Sequence, residues 1–83
     1  MKSAAKRLDP DQILASIEKG IDDTLGPGSS FLIFKTLKLV YSFDKNEITS
    51  DFDRFEELMI KILGPELNEK MRLKIIHRMQ ENH

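Results

Sequence analysis

A short unit that ends in Leu-Gly-Pro occurs twice in this chain. Residues 14–27 and 52–65 share the order apolar-x-x-apolar-x-x-x-apolar-x-x-x-Leu-Gly-Pro, and the two copies are offset by 38 positions. Each copy closes on a structural turn, at Gly26 and Pro27 in the first and at Gly64 and Pro65 in the second. Glycine readily adopts the left-handed conformation that ends helices, and proline cannot continue a helix. The repeat therefore predicts two helical hairpins, each with a Leu-Gly-Pro turn.

The length of the chain suits one small domain. We expect residues 9–83 to form a single compact all-α domain of four helices, built from the two hairpins. Residues 1–8 are predicted to be a flexible tail, because nothing in their pattern ties them to a core. Charged residues make up 33% of the chain, which indicates helices with long solvated faces.

Capping patterns predict where three of the helices begin. Asp9 and Gln12 have the spacing of a capping box at the start of the first helix. Residues 28–30, Gly-Ser-Ser, offer a turn and a serine cap for the second helix. Ser50 and Asp53 form the same kind of box before the third.

The second helix, predicted over residues 31–43, is apolar on almost every side. Nine of these thirteen residues are apolar, and Lys35, Lys38 and Ser42 form a narrow polar stripe. Such a helix is either central in its domain or covered by a partner, and the sequence leaves both alternatives open. A strand over residues 37–43 is a competing interpretation. We favour a helix, because the apolar run is long for one strand and no partner strand is evident.

The fourth helix also carries apolar residues away from its predicted core side. Its core positions recur every four residues, at Leu67, Met71, Ile75 and Met79. Leu73 projects roughly opposite this side, and Ile76 projects to one side of it.

The apolar residues in excess of a core predict a contact surface. Its candidate members are Leu32, Leu39, Phe43, Leu73 and Ile76. A surface of this kind fits a protein partner, and we expect a homodimer of a non-enzymatic interaction or signalling module. Replacement of Leu73 by glutamate should then weaken self-association with little loss of fold.

Two rival functions remain open from the sequence. A nucleic-acid-associated regulator would use the basic stripe of the fourth helix, Lys70, Lys74, His77 and Arg78, although the net charge of −1 does not favour this partner. A small-ligand sensor would hold an apolar molecule between the helices, beside Phe31, Phe34 and Phe55.

No pattern in the chain indicates catalysis, a metal or a cofactor. The chain has no cysteine, which removes thiol chemistry and disulfides. A calcium loop counted from Asp44 has Thr49 where glycine is needed and Phe55 where a glutamate should close the site. The two histidines, His77 and His83, have no catalytic or ligating neighbour in the sequence. We therefore expect no catalytic residues, no metal site and no cofactor.

The chain has no segment that predicts a membrane partner. Its longest apolar-rich stretch is thirteen residues and contains two lysines, whereas a membrane-spanning helix needs about 20 apolar residues. The lack of cysteine suits a reducing compartment. We predict a cytoplasmic protein.

Several of these residues together form the motif of a known family. In chain order they are Ile17-x-x-Gly20-Ile21-Asp22-x-Thr24-Leu25-Gly26-Pro27, an apolar helix ending in Tyr41, Ile48 with Asp51-Phe52, and Phe55-Glu56-x-Leu58-x-x-x-Ile62-Leu63-Gly64. This pattern resembles the small archaeal Nitrososphaera output domain over about residues 12–79. The resemblance implies an all-helical fold and a role as an interaction or output module in signalling, with no catalytic residues. The chain departs from the family at Lys35 and Lys38, where an aromatic pair is expected.

Overall fold

The structure, a computed structural model, describes residues 9–81. Within this range the chain forms four α-helices and no strand, which confirms the predicted all-α four-helix domain. The predicted tail, residues 1–8, lies outside the described residues. The helices are α1 (Pro10–Leu25), α2 (Ser29–Tyr41), α3 (Phe52–Leu63) and α4 (Pro65–Glu81), with a short 3₁₀ helix (Lys45–Glu47) between α2 and α3.

Both Leu-Gly-Pro units form the predicted turns. Gly26 has φ +113° and Gly64 has φ +90°, values that residues other than glycine rarely adopt. In each turn the glycine N–H donates to a carbonyl four residues earlier at 2.8 Å, from Gly26 to Asp22 and from Gly64 to Ile60. The two hairpins therefore end their first helices in the same way.

The repeat extends into the second helix of each hairpin. Buried positions in the first hairpin recur 38 residues later in the second, and the matched pairs are Ile17 with Phe55, Ile21 with Met59, Ser30 with Asn68, Ile33 with Met71 and Leu37 with Ile75. Each hairpin thus turns the same face of its helices inward. The Leu-Gly-Pro unit alone marked only the first half of this correspondence.

One hydrophobic core joins all four helices. The segment between α2 and α3 contributes to it as well, since the side chains of Phe43 and Ile48 are buried. Two apolar anchors therefore hold this connection against the domain, although its other residues are mostly polar.

The closest pair of helices is α1 with α4. A Cβ built on Gly20 would lie 2.8 Å from both the Cα and the N atom of Ile75, so only glycine permits this approach. Near the same crossing, Arg78 donates to both carboxylate oxygens of Asp23, at 2.8 and 3.0 Å. The central pair is therefore α1 and α4, and α2 packs at the side of α1 and against the 3₁₀ helix. This corrects the alternative that α2 is the central helix.

The capping box of α1 is confirmed. The N–H of Gln12 donates to the carboxylate of Asp9 at 2.8 Å, and the N–H of Asp9 donates to the Gln12 side chain at 3.1 Å. The start of this helix is thus set by residues within one turn of each other.

The predicted serine caps of α2 and α3 are wrong. Gly28 is the residue before α2, and the cap comes from α1, where the Asp22 carboxylate accepts the N–H of Ser30 at 2.8 Å. At α3 the cap is Asp51, which accepts the N–H of Arg54, while the Ser50 hydroxyl donates to the carbonyl of Glu47. The capping acceptor is therefore a carboxylate oxygen at both helix starts.

Candidate interaction surface

The outward side of α2 carries three large apolar residues. Leu32, Leu39 and Val40 are 63%, 71% and 65% exposed. Leu32 and Leu39 are seven residues apart and share one side of the helix, and Val40 lies about 100° further round, towards the buried Ile33 and Leu37. We call Leu32, Leu39 and Val40 the outer face of α2.

Phe43, predicted to belong to the contact surface, is instead a core residue with 5% of its surface exposed. The helix ends at Tyr41 because Ser42 adopts the left-handed conformation, with φ +55°. The chain then folds back, and the N–H of Phe43 donates to the carbonyl of Leu37 at 2.9 Å. The prediction assumed a helix that continued through residue 43, which would have pointed this ring outward.

Leu73 and Ile76 lie exposed on the side of α4 away from the core. Their exposed fractions are 56% and 40%, whereas Met71 and Ile75 on the inward side are buried. We call Leu73 and Ile76 the α4 edge. Ile60 of α3, which the sequence did not single out, is also 43% exposed. The spacing of Phe52, Phe55, Met59 and Ile62 puts Ile60 outside the inward stripe of α3, so its exposure agrees with the apolar pattern.

Two members of the basic stripe of α4 are paired with carboxylates. Arg78 holds Asp23 in a two-point contact, and the Nε2 atom of His77 lies 3.1 Å from Glu81. Lys70 and Lys74, the other two members, are exposed. The hydrogen bond from Arg78 lowers the pKa of Asp23 below its usual value, and the same bond raises the pKa of Arg78. The stripe therefore presents less free positive charge than its sequence indicates.

An open cleft of about 540 Å³ lies beside the first half of α2. Its walls carry two aromatic rings, Phe31 and Phe34, and the ammonium groups of Lys35 and Lys38. The Lys35 Nζ atom lies 5.8 Å from the centre of the Phe31 ring, within the range of a cation–π contact.

The cleft differs from the apolar ligand site that the sequence suggested. Phe55, expected beside the ligand, is fully buried in the core and does not line it. The remaining wall is charged, with Glu18 from α1 and with Asp44 and Lys45 from the start of the 3₁₀ helix. A purely apolar ligand would have to share this space with five charged groups.

Among residues 9–81, no group of three or more histidine or acidic side chains is placed to hold a metal ion. No helix in the same range is long and apolar enough to cross a membrane.

Comparison of the chain with protein-family models, with curated proteins and with solved structures gives no match. The resemblance to the Nitrososphaera output domain therefore stays a prediction, and the functional argument rests on the surfaces described above.

Proposed function

We propose that this protein is a non-enzymatic interaction module of a cytoplasmic signalling system, and that it self-associates through the outer face of α2. The observation that carries the proposal is the exposure of Leu32, Leu39 and Val40, each more than three-fifths open to solvent. Surface leucines scattered singly need no explanation, but three large apolar side chains exposed within nine residues of one helix are a candidate contact surface.

The size of the patch supports a weak and reversible dimer. A symmetric contact would bury the outer face of both copies, six large apolar side chains in all. Full burial of one such side chain is worth about 1.5–3 kcal/mol, and these are already about one-third covered. The gain is then similar to the roughly 4–15 kcal/mol that association costs in lost freedom. The proposal needs a net gain of about 4–8 kcal/mol, at the favourable end of these ranges, which corresponds to a dissociation constant of roughly micromolar to millimolar.

The charge of the chain does not oppose such a contact. With a net charge of −1, two copies repel each other little over long distances. Lys38 projects towards the cleft, whereas Lys35 lies three residues after Leu32 and four before Leu39 and so borders the outer face with one positive charge. The α4 edge is a second candidate contact, because its two apolar side chains are also exposed.

The test is the effect of a charge placed in the outer face. Leu39→Glu should raise the dissociation constant measured by sedimentation equilibrium by about tenfold or more, because dimerisation would bury an unpaired carboxylate. Ile60→Glu is the matched control, since it places the same charge at an exposed apolar position of α3 that belongs to neither candidate surface. Equal association of the two variants would contradict the role of the outer face. Leu73→Glu, measured alongside them, tests whether the α4 edge takes part.

A further inference from the structure

We propose that the cleft beside the first half of α2 binds a small aromatic carboxylate. The cleft has a volume of about 540 Å³, which lies within the range of about 300–1,000 Å³ found for small-molecule sites. It lies between α1, α2 and the 3₁₀ helix, so three elements of the fold shape its walls.

The aromatic part of the ligand would contact the rings of Phe31 and Phe34. Phe31 is 68% exposed, an unusual state for a phenylalanine. Its ring already lies 5.8 Å from the ammonium group of Lys35. A flat aromatic molecule can pack against such rings and remove them from water, which is the main source of affinity in sites of this size.

The charges around the cleft favour an anion over a neutral or positive molecule. Lys35, Lys38 and Lys45 contribute three positive charges, against the carboxylates of Glu18 and Asp44. The Glu47 N–H donates to the backbone carbonyl of Asp44 at 2.9 Å. The carboxylates of Glu18 and Asp44 therefore both compete with an incoming anion, but the three lysines outnumber them.

The cleft and the outer face adjoin each other on α2. Lys35 lines the cleft, and it also lies three residues after Leu32 and four before Leu39, on the same side of the helix as both. Lys38 and Glu18 belong to the cleft wall alone, and Leu39 belongs to the outer face alone. Variants at these three positions therefore test ligand binding and self-association separately.

The experiment is an NMR titration of the full chain with 2-naphthoate and with 2-naphthamide, its neutral isostere. The naphthoate should bind about tenfold more tightly, since charge-assisted contacts with lysine are available to it alone. Its chemical-shift changes should centre on the backbone of Phe31, Lys35 and Lys45. Equal affinities for the two compounds, no binding of naphthoate, or shifts centred on Leu39 and Val40 would each overturn the proposal.

Charge variants supply a test of sign. Lys38→Gln should weaken naphthoate binding by about threefold, and Glu18→Gln should strengthen it by a similar factor, because partly exposed charges interact modestly. Lys61→Gln on α3 removes a lysine that does not line the cleft and should leave the affinity unchanged. If Lys38→Gln and Glu18→Gln shift the affinity no more than Lys61→Gln does, the site assignment is wrong. One-dimensional spectra of each variant confirm that it remains folded.

Discussion

At Gly20 the absence of a side chain lets α1 and α4 come into direct backbone contact. A Cβ there would overlap the backbone of Ile75, whose Cα and N atoms lie 2.8 Å from its position. We expect Gly20→Ala to lower the free energy of unfolding by about 1–3 kcal/mol, the range found for overpacking in a core. Alanine's better helix propensity, worth about 1 kcal/mol, offsets only part of this loss. Urea unfolding followed by circular dichroism gives the value.

The control for Gly20→Ala is Lys19→Ala, an exposed position one residue earlier on the same helix. It should change the free energy of unfolding by less than about 0.5 kcal/mol. If Gly20→Ala is as stable as the wild type or more stable, α1 and α4 do not approach each other as closely as the structure shows.

Asp23 and Arg78 make the stability of the domain depend on pH. Because Arg78 lowers the pKa of Asp23 in the folded state, the pair stabilises the fold above the ordinary aspartate pKa of about 3.9. This stabilisation is lost as the pH falls through the lower pKa of the folded protein. Arginine stays protonated throughout.

In a carbon-detected NMR titration, the Asp23 carboxyl of the wild type should therefore titrate at a lower pH than that of Arg78→Gln. The stability advantage of the wild type over this variant should also shrink between pH 7 and pH 3. An identical Asp23 titration in both proteins would contradict the contact.

The contacts of Gly20 and of Asp23 could not be predicted from spacing. Gly20 lies inside an amphipathic helix, where a glycine on its own indicates only a lower helix propensity. Its partner Ile75 and the partner of Asp23, Arg78, each lie 55 residues away in the chain. Local periodicity places residues on a face but does not say which other helix that face meets.

Among the helices, α2 contributes residues to both the core and the exposed surface. Ile33 and Leu37 belong to the core, Leu32 and Leu39 belong to the outer face, and Phe43 returns to the core after the helix ends. The sequence predicted an apolar helix correctly, but an almost uniformly apolar pattern cannot assign its sides. The left-handed Ser42 is what redirects Phe43, and serine gives little local signal for that conformation.

Phe43→Leu tests the division of this segment. The smaller side chain should lower the free energy of unfolding by about 1–2 kcal/mol, because it leaves part of the ring's volume unfilled. It should leave self-association unchanged, whereas Leu39→Glu should do the reverse. Chemical unfolding and sedimentation equilibrium on both variants give the two values. If Phe43→Leu weakens the dimer and leaves the stability unchanged, Phe43 belongs to the contact surface and not to the core.

The start of α2 depends on a residue of α1. The Asp22 carboxylate accepts the N–H of Ser30, eight residues later. Asp22→Ala should therefore lower the free energy of unfolding by about 1 kcal/mol, the usual effect of removing a helix cap. Hydrogen exchange of the Ser30 amide should become faster relative to that of Ile33. Unchanged exchange at Ser30 would show that another group caps this helix.

The caps show where sequence prediction works and where it stops. Asp9 and Gln12 are three residues apart, and their reciprocal bonds are confirmed because both partners lie within one turn. Asp22 reaches its amide only after the Gly26 turn has reversed the chain. This hydrogen bond forms only once the hairpin has formed. A pattern restricted to three or four residues cannot include it, and it predicted a serine cap instead.

For the whole molecule, the repeat was sufficient to predict four helices in two hairpins. It did not predict their arrangement, because the two copies differ where the helices meet. Gly20 in α1 corresponds to Leu58 in α3, and only the glycine allows the backbone contact seen with α4. With α1 and α4 at the centre, α2 is left at the side, and its apolar outer face remains uncovered. The proposed association surface follows from this asymmetry.

The most direct test of the proposed function is the molar mass of the wild-type chain by light scattering across a hundredfold range of concentration. The account predicts a mass that rises with concentration from 9.6 kDa towards twice that value. The same series on Leu39→Glu should stay close to the mass of one chain. A wild-type mass that remains at 9.6 kDa up to millimolar concentration would contradict self-association through the outer face of α2.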